Sequence, residues 1–150
     1  MTIRRRGRIL AFQALYAWEA CSNSDAGEKS IDSAFAWLDD TQDQLDENIA
    51  HFSRILVAGT IENIRAIDAM IQSHLQNWDF SRVQRVDLAL LRMSTYALMY
   101  QADIAPSIVI NEAVGIAQVY GTDDSYRFIN GMLDSIRKTL EKTAESAAGA

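Results

Sequence analysis

Residues 106–140 read PSIVINEAVGIAQVYGTDDSYRFINGMLDSIRKTL, and this stretch decides the fold. Pro106 pushes Ala105 out of the α region, so one helix ends before it and another starts near Ser107. Ile108, Ile110, Val114, Ile116, Ala117 and Val119 then recur at helical spacing up to Gly121, a natural residue just past a helix end. Thr122 or Asp123 can cap a last helix through Phe128, Ile129, Met132, Leu133, Ile136 and Leu140. Asn130-Gly131 sits inside that apolar pattern against local propensity, a breach that marks close packing or function.

The same period runs outward through the chain. Ile9, Phe12, Leu15 and Tyr16, with Ala11 and Trp18, predict a first helix over about residues 3–21, stopped by the polar turn residues 22–27. Ser30 can cap a short second helix with Ile31, Phe35 and Leu38. A long third pattern runs from Leu45 to Leu75, capped by Asp43 or Asp46. Gly59 inside it marks close packing or a break into two helices. Trp78-Asp79-Phe80-Ser81 punctuates the chain. Ser81 can then cap a helix over 82–101 that carries Val83, Val86, Leu90, Leu91 and Leu98. No stretch alternates with period two and no repeat is visible. The expectation is an all-α fold of about seven helices in one domain over 1–142. Its lobes divide near Trp78, about 1–77 and 78–142, and residues 143–150 form a frayed tail.

Composition agrees. Of 150 residues, 49% are hydrophobic, one is proline and seven are glycine, which excludes disordered, collagenous and turn-dense β classes. The single Cys21 cannot form an internal disulfide, as in a reducing compartment. No signal-peptide core follows the N-terminal arginines, and the uncharged stretch Met93 to Ala102 is far shorter than the roughly 18 residues of a membrane span. A soluble, cytoplasmic protein is expected.

The net charge of −6 hides an asymmetry. Residues 1–8 carry +4 from Arg4, Arg5, Arg6 and Arg8, residues 19–47 carry −8, and the remainder carries −2. An acidic protein can still bind nucleic acid through such a local basic arm, although four arginines also serve to solubilise a helix end. Catalytic constellations are missing. His51 and His74 have no cysteine at metal spacing, and no Gly-rich phosphate loop occurs. Cys21 reads as a passive thiol and Asp39-Asp40 as a solvated face. No enzyme, metal or cofactor is expected.

Two segments carry a family resemblance. The first is Arg4-Arg5-Arg6-Gly7-Arg8 followed by Ala11-Phe12-Gln13-Ala14-Leu15-Tyr16. The second runs through Ile108-Val109-Ile110-Asn111-Glu112-Ala113-Val114, Tyr120-Gly121-Thr122-Asp123-Asp124-Ser125 and Phe128-Ile129-Asn130-Gly131-Met132-Leu133-Asp134. With Val86-Asp87, Leu91-Arg92 and Tyr96 between them, the chain resembles the NusB family of bacterial transcription antitermination factors from Arg4 to about Lys138. Gly7, Ala97 and Gln118 depart from the family's usual Ala, Glu and Lys.

The resemblance implies two packed helical lobes and no catalysis. It implies binding of boxA-type single-stranded RNA together with the ribosomal protein NusE, within the antitermination complex on RNA polymerase that supports ribosomal RNA operons. Arg4, Arg5, Arg6 and Arg8 resemble the RNA-binding arm; four phosphate contacts would add about −3 to the log–log salt slope. Asp124, Arg127 and Phe128 resemble a second RNA-facing segment, with helix capping and core packing as the plain alternatives for Asp124 and Phe128. Tyr16 and Asp87 match positions that face NusE, with a core position as the alternative for Tyr16. Arg92 reads as a buried arginine paired with an acid such as Glu112 or Asp134. Asn111, Glu112, Asn130 and Gly131 read as scaffold, Gly131 letting helices approach. Other readings are a helical interaction module without RNA contact, a homodimer using the NusE face, and the RNA-binding domain of a truncated ribosomal RNA methyltransferase. The last would need a catalytic segment of about 200 or more residues beyond Ala150.

Overall fold

The computed structural model describes residues 2–21, 31–41, 47–76 and 79–148. Among them are seven α-helices, one 3₁₀ turn and no strand, in keeping with the all-α expectation. The turn residues 22–27, the caps at Ser30, Asp43 and Asp46, Trp78 and the Cys21 side chain lie outside the described residues.

The chain divides into two compact units, Met1–Asn63 and Ile64–Ala150. The division falls ahead of the expected boundary at 77/78. The apolar run from Leu45 onward looks continuous in sequence, but its second half belongs to the other core.

The first unit holds α1 (Ile3–Cys21), α2 (Ile31–Thr41) and α3 (Glu47–Glu62), each packed on the other two. Ala11, Ala14, Leu15 and Trp18 lie on one face of α1 at three- and four-residue steps and are buried, as are Leu38 of α2 and Leu56 of α3. Gly59 is buried inside α3, and the break comes four residues later. There the backbone and side-chain N–H groups of Asn63 both donate to the Gly59 carbonyl, at 3.2 and 2.8 Å.

The second unit holds α4 (Ile64–Ser73), a 3₁₀ turn (Phe80–Arg82), α5 (Arg85–Tyr100), α6 (Pro106–Tyr120) and α7 (Ser125–Ala148). Helix α5 packs against α4, α6 and α7, and every residue from Asp87 to Thr95 is buried. Such all-round burial marks a central helix. Ser81 does not cap it: Ser81 lies in the 3₁₀ turn, and α5 begins at Arg85 behind Gln84. Pro106 opens α6, where its missing N–H has no helical partner to lose. Gly121 ends α6 with φ −91°, so no left-handed backbone calls for glycine. Space does, because a Cβ there would lie 2.5 Å from Ser125 Cβ and Oγ and 2.8 Å from the Ala117 carbonyl. Residues 143–148 are helical and exposed. They continue α7 as a solvated helix, supported upstream by an ion pair from Arg137 to Glu141.

Arg92 is 4% exposed, and its carboxylate partner is Asp68 of α4. Nε and Nη2 donate to the two Asp68 oxygens at 2.9 Å each, and the guanidinium lies 5.6 Å from the Phe80 ring centroid. Asp134, named as a candidate partner, pairs with Arg137 and Lys138. Removing Asp68 takes two charge-assisted hydrogen bonds from a buried guanidinium. Asp68→Ala is therefore expected to lower stability by about 1–3 kcal/mol. Adding Arg92→Met to that variant should recover part of the loss, read as the midpoint of urea unfolding.

Candidate nucleic-acid interface

The arginine arm is the opening of α1. Thr2 Oγ1 accepts the Arg5 backbone N–H at 3.0 Å and so caps the helix start. No acid occupies the first turn, which leaves the positive end of the helix dipole uncompensated there. The 100° helical step then divides the four arginines. Arg4 and Arg6 are exposed and Arg5 is half-buried, whereas Arg8 is 7% exposed.

Arg8 and Arg4, one turn apart, reach the same aromatic ring. Their guanidinium carbons lie 5.3 and 5.5 Å from the centroid of Phe52 on α3. Gly7 lies against that ring, and a Cβ on it would come within 2.6 Å of Phe52 Cδ1. The Gly7 carbonyl accepts a buried hydrogen bond from Ser53 Oγ at 2.9 Å. The glycine at position 7 thus seats α1 on α3. Phe52 is the residue that sequence reasoning missed; its helical spacing reads as plain core. Tyr16, also on α1, is 39% exposed, which removes the core reading for it.

In the second unit, Asp87, Asp124 and Phe128 come together around a depression of about 390 Å³. Arg82, Gln84, Thr122 and Ser125 complete its wall. Asp124 and Arg127 are exposed and Phe128 is half-buried. Ser125, at the start of α7, accepts the Thr122 N–H on its hydroxyl at 2.9 Å.

Asp87 is 6% exposed, and its Oδ1 has no hydrogen-bond partner among the described residues. Burial pushes its carboxyl above the ordinary aspartate range, and a hydrogen bond from Ser125 pulls part of the way back. An acid raised in the folded state binds its proton more tightly there than in the unfolded chain. Its ionisation therefore removes stability as pH rises from the unfolded value through the folded one. Asp87→Asn is expected to raise the thermal midpoint at pH 7. That gain should shrink as pH falls towards 4, a convergence that paired melting curves would detect.

Beyond Phe128, a second groove of about 410 Å³ runs along α7 past Arg127 and Gly131. Gly131 does not bring helices together: it is exposed, and a Cβ there would meet nothing within 4 Å. Asn130 beside it is exposed as well. His74 is fixed at this groove, with Nδ1 2.7 Å from Ser135 Oγ and Nε2 3.2 Å from Thr139 Oγ1. Among the described residues no group of three His, Cys, Asp or Glu side chains could hold a metal ion, and no helix is long and apolar enough to cross a membrane.

A two-unit helical fold with a basic first helix and clustered polar and aromatic side chains defines a binding protein. The NusB family model matches residues 5–138. The transcription antitermination protein NusB of Treponema pallidum is 48% identical over 136 residues, covering 91% of this chain and 93% of that protein. Its namesake in Treponema denticola is 49% identical, covering 89% and 95%. Among solved structures, T. maritima NusB superimposes with a TM-score of 0.77 at 36% identity, covering 90% of each chain. A structure of the antitermination factors NusB and NusE in complex with double-stranded RNA gives a TM-score of 0.77 at 24% identity, covering 93% and 98%, a likeness of fold. The chain belongs to the NusB family, and the relatives it matches are named as transcription antitermination proteins.

Proposed function

We propose that this protein is a non-catalytic, cytoplasmic transcription antitermination factor. In this reading it binds boxA-type single-stranded RNA together with ribosomal protein NusE and supports transcription of ribosomal RNA operons. The observation that carries the reading is the arm at the opening of α1, where Arg4 and Arg6 are exposed in a chain of net charge −6. An acidic protein meets a polyanion only through such a local patch. Family membership over nearly the whole length of its relatives supports an adaptor over a fragment of a methyltransferase.

Arg4, Arg5 and Arg6 contact phosphates. Arg8 acts differently: buried on Phe52, it holds the arm in place. Phe128 stacks on an unpaired base, which is worth about 1–3 kcal/mol. Arg127 adds charge beside it, and Asp124 accepts hydrogen bonds from a base. Tyr16 and Asp87 face the protein partner, where an acid suits a basic ribosomal protein. NusE supplies further contact surface and raises the effective concentration of RNA at the arm.

With Arg8 withdrawn, the arm should contribute about −2 to the log–log salt slope, at roughly 0.7 for each of three contacts. Fluorescence anisotropy of a short boxA-type RNA across a salt series tests this, with the chain alone and with NusE. The variant Arg4→Ala, Arg5→Ala, Arg6→Ala should lose that part of the slope while keeping its helical circular dichroism. RNA binding by folded protein that the triple variant leaves unchanged would overturn the role of the arm, and absence of RNA binding with or without NusE would overturn the reading and favour an interaction module without RNA contact.

A further inference from the structure

We propose that the groove over Gly131 is a nucleotide site, in which one nucleotide of a bound single strand lies against the bare backbone of α7 beside Phe128. This rests on the RNA-binding reading above and extends it along α7 from Phe128 to Gly131.

The first observation is the glycine itself. A glycine inside a helix weakens it relative to alanine, and the usual reasons for one are absent here. Its backbone is helical and its φ is not in the left-handed region. Among the described residues, nothing beyond the helix's own backbone and its chain neighbours lies within 4 Å of where a Cβ would stand. What remains is close approach from outside, for which a missing side chain clears the helix backbone.

The second observation is what surrounds it. Arg127, Phe128, Met132 and Ser135 of α7, with His74 and Gln76, line a groove of about 410 Å³, within the range of small-molecule sites. No carboxylate is among its lining residues, whereas the depression on the other side of Phe128 holds Asp87 and Asp124. In an acidic chain, an acid-free groove carrying an arginine suits a phosphodiester. A basic protein segment would find no anion to pair with. Hydrogen bonds between the two ring nitrogens of His74 and the α7 hydroxyls of Ser135 and Thr139 make one wall rigid before any ligand arrives. Phe128 lines both hollows, so a base stacked on it would hand the next nucleotide of the strand to the acid-free one.

The test compares wild type, Gly131→Ala, Gly131→Leu and Ala144→Leu by anisotropy with the boxA-type RNA at one fixed salt concentration. Thermal melts run alongside, and NusE is titrated separately without RNA. Because the site is open, both substitutions at 131 should fold, and Gly131→Ala should melt about 2–4 °C higher. Gly131→Leu fills the groove and should weaken RNA binding roughly fivefold to a hundredfold, the loss of one base's contacts. Ala144→Leu, which adds the same side chain elsewhere on exposed α7, should leave affinity unchanged. Equal RNA affinity for wild type and Gly131→Leu would overturn the groove while leaving the arm standing. A loss confined to NusE binding would make the groove a protein face and overturn the proposal. Failure of wild type to bind the RNA would remove the functional reading and this site together.

Discussion

A guanidinium in the middle of a buried helix is tolerable only if something neutralises it. In the second unit that constraint shapes everything around α5. Arg92 lies on a helix with no solvent face over nine residues, and Asp68 reaches it from α4 through two hydrogen bonds. The pair adds to the apolar contacts of Ile67 and Ile71 a directional requirement, since a bidentate fork tolerates little rotation or slip of α4 along α5. Helices α6 and α7 then close on the remaining sides of the same helix. The side chains at its first turn, Asp87 among them, inherit their positions from that packing.

The functional surface of this unit grows from the ends of the packed helices. Gly121 allows the α6–α7 turn to fold tightly enough for Ser125 to lie almost against the end of α6. The Ser125 hydroxyl then serves the turn through Thr122 and the start of α5 through Asp87. One small residue therefore brings the beginnings of two helices to a common point. Among the described residues no donor reaches one buried carboxyl oxygen of Asp87 there, at the wall of an open depression. A partner that brings a donor relieves that oxygen, so the depression favours ligands rich in N–H groups on the side of Asp87.

Much of this was legible in the sequence, and the failures have physical causes. Helical period, Pro106 and Gly121 located α6 and the start of α7 to within a residue or two, because apolar spacing reports burial directly. The boundary between units was misplaced because apolar spacing says that Ile67 is buried but not against what. Asp68 was not foreseen as the partner of Arg92, since ion pairs between helices leave no local pattern. The arm was visible as four arginines, yet only the helical step, which buries Arg8 and leaves Arg4 and Arg6 exposed, separates it from the others. Asn130-Gly131 stood out as a breach of propensity. Its direction, inward or outward, became clear only once the space around position 131 was known.

The contact between Gly7 and Phe52 has a consequence for how this protein can change. With a phenyl ring at 52, a methyl at position 7 collides with it. With the ring turned away or replaced by a smaller side chain, the same methyl would fill space and firm the first turn of α1. The effect of either substitution thus reverses sign with the state of the other, and their free energies do not add. Positions 7 and 52 form one epistatic unit. The ring also anchors Arg4 and Arg8, so a lineage exchanging glycine for the family's usual alanine must re-seat its arginine arm in the same step.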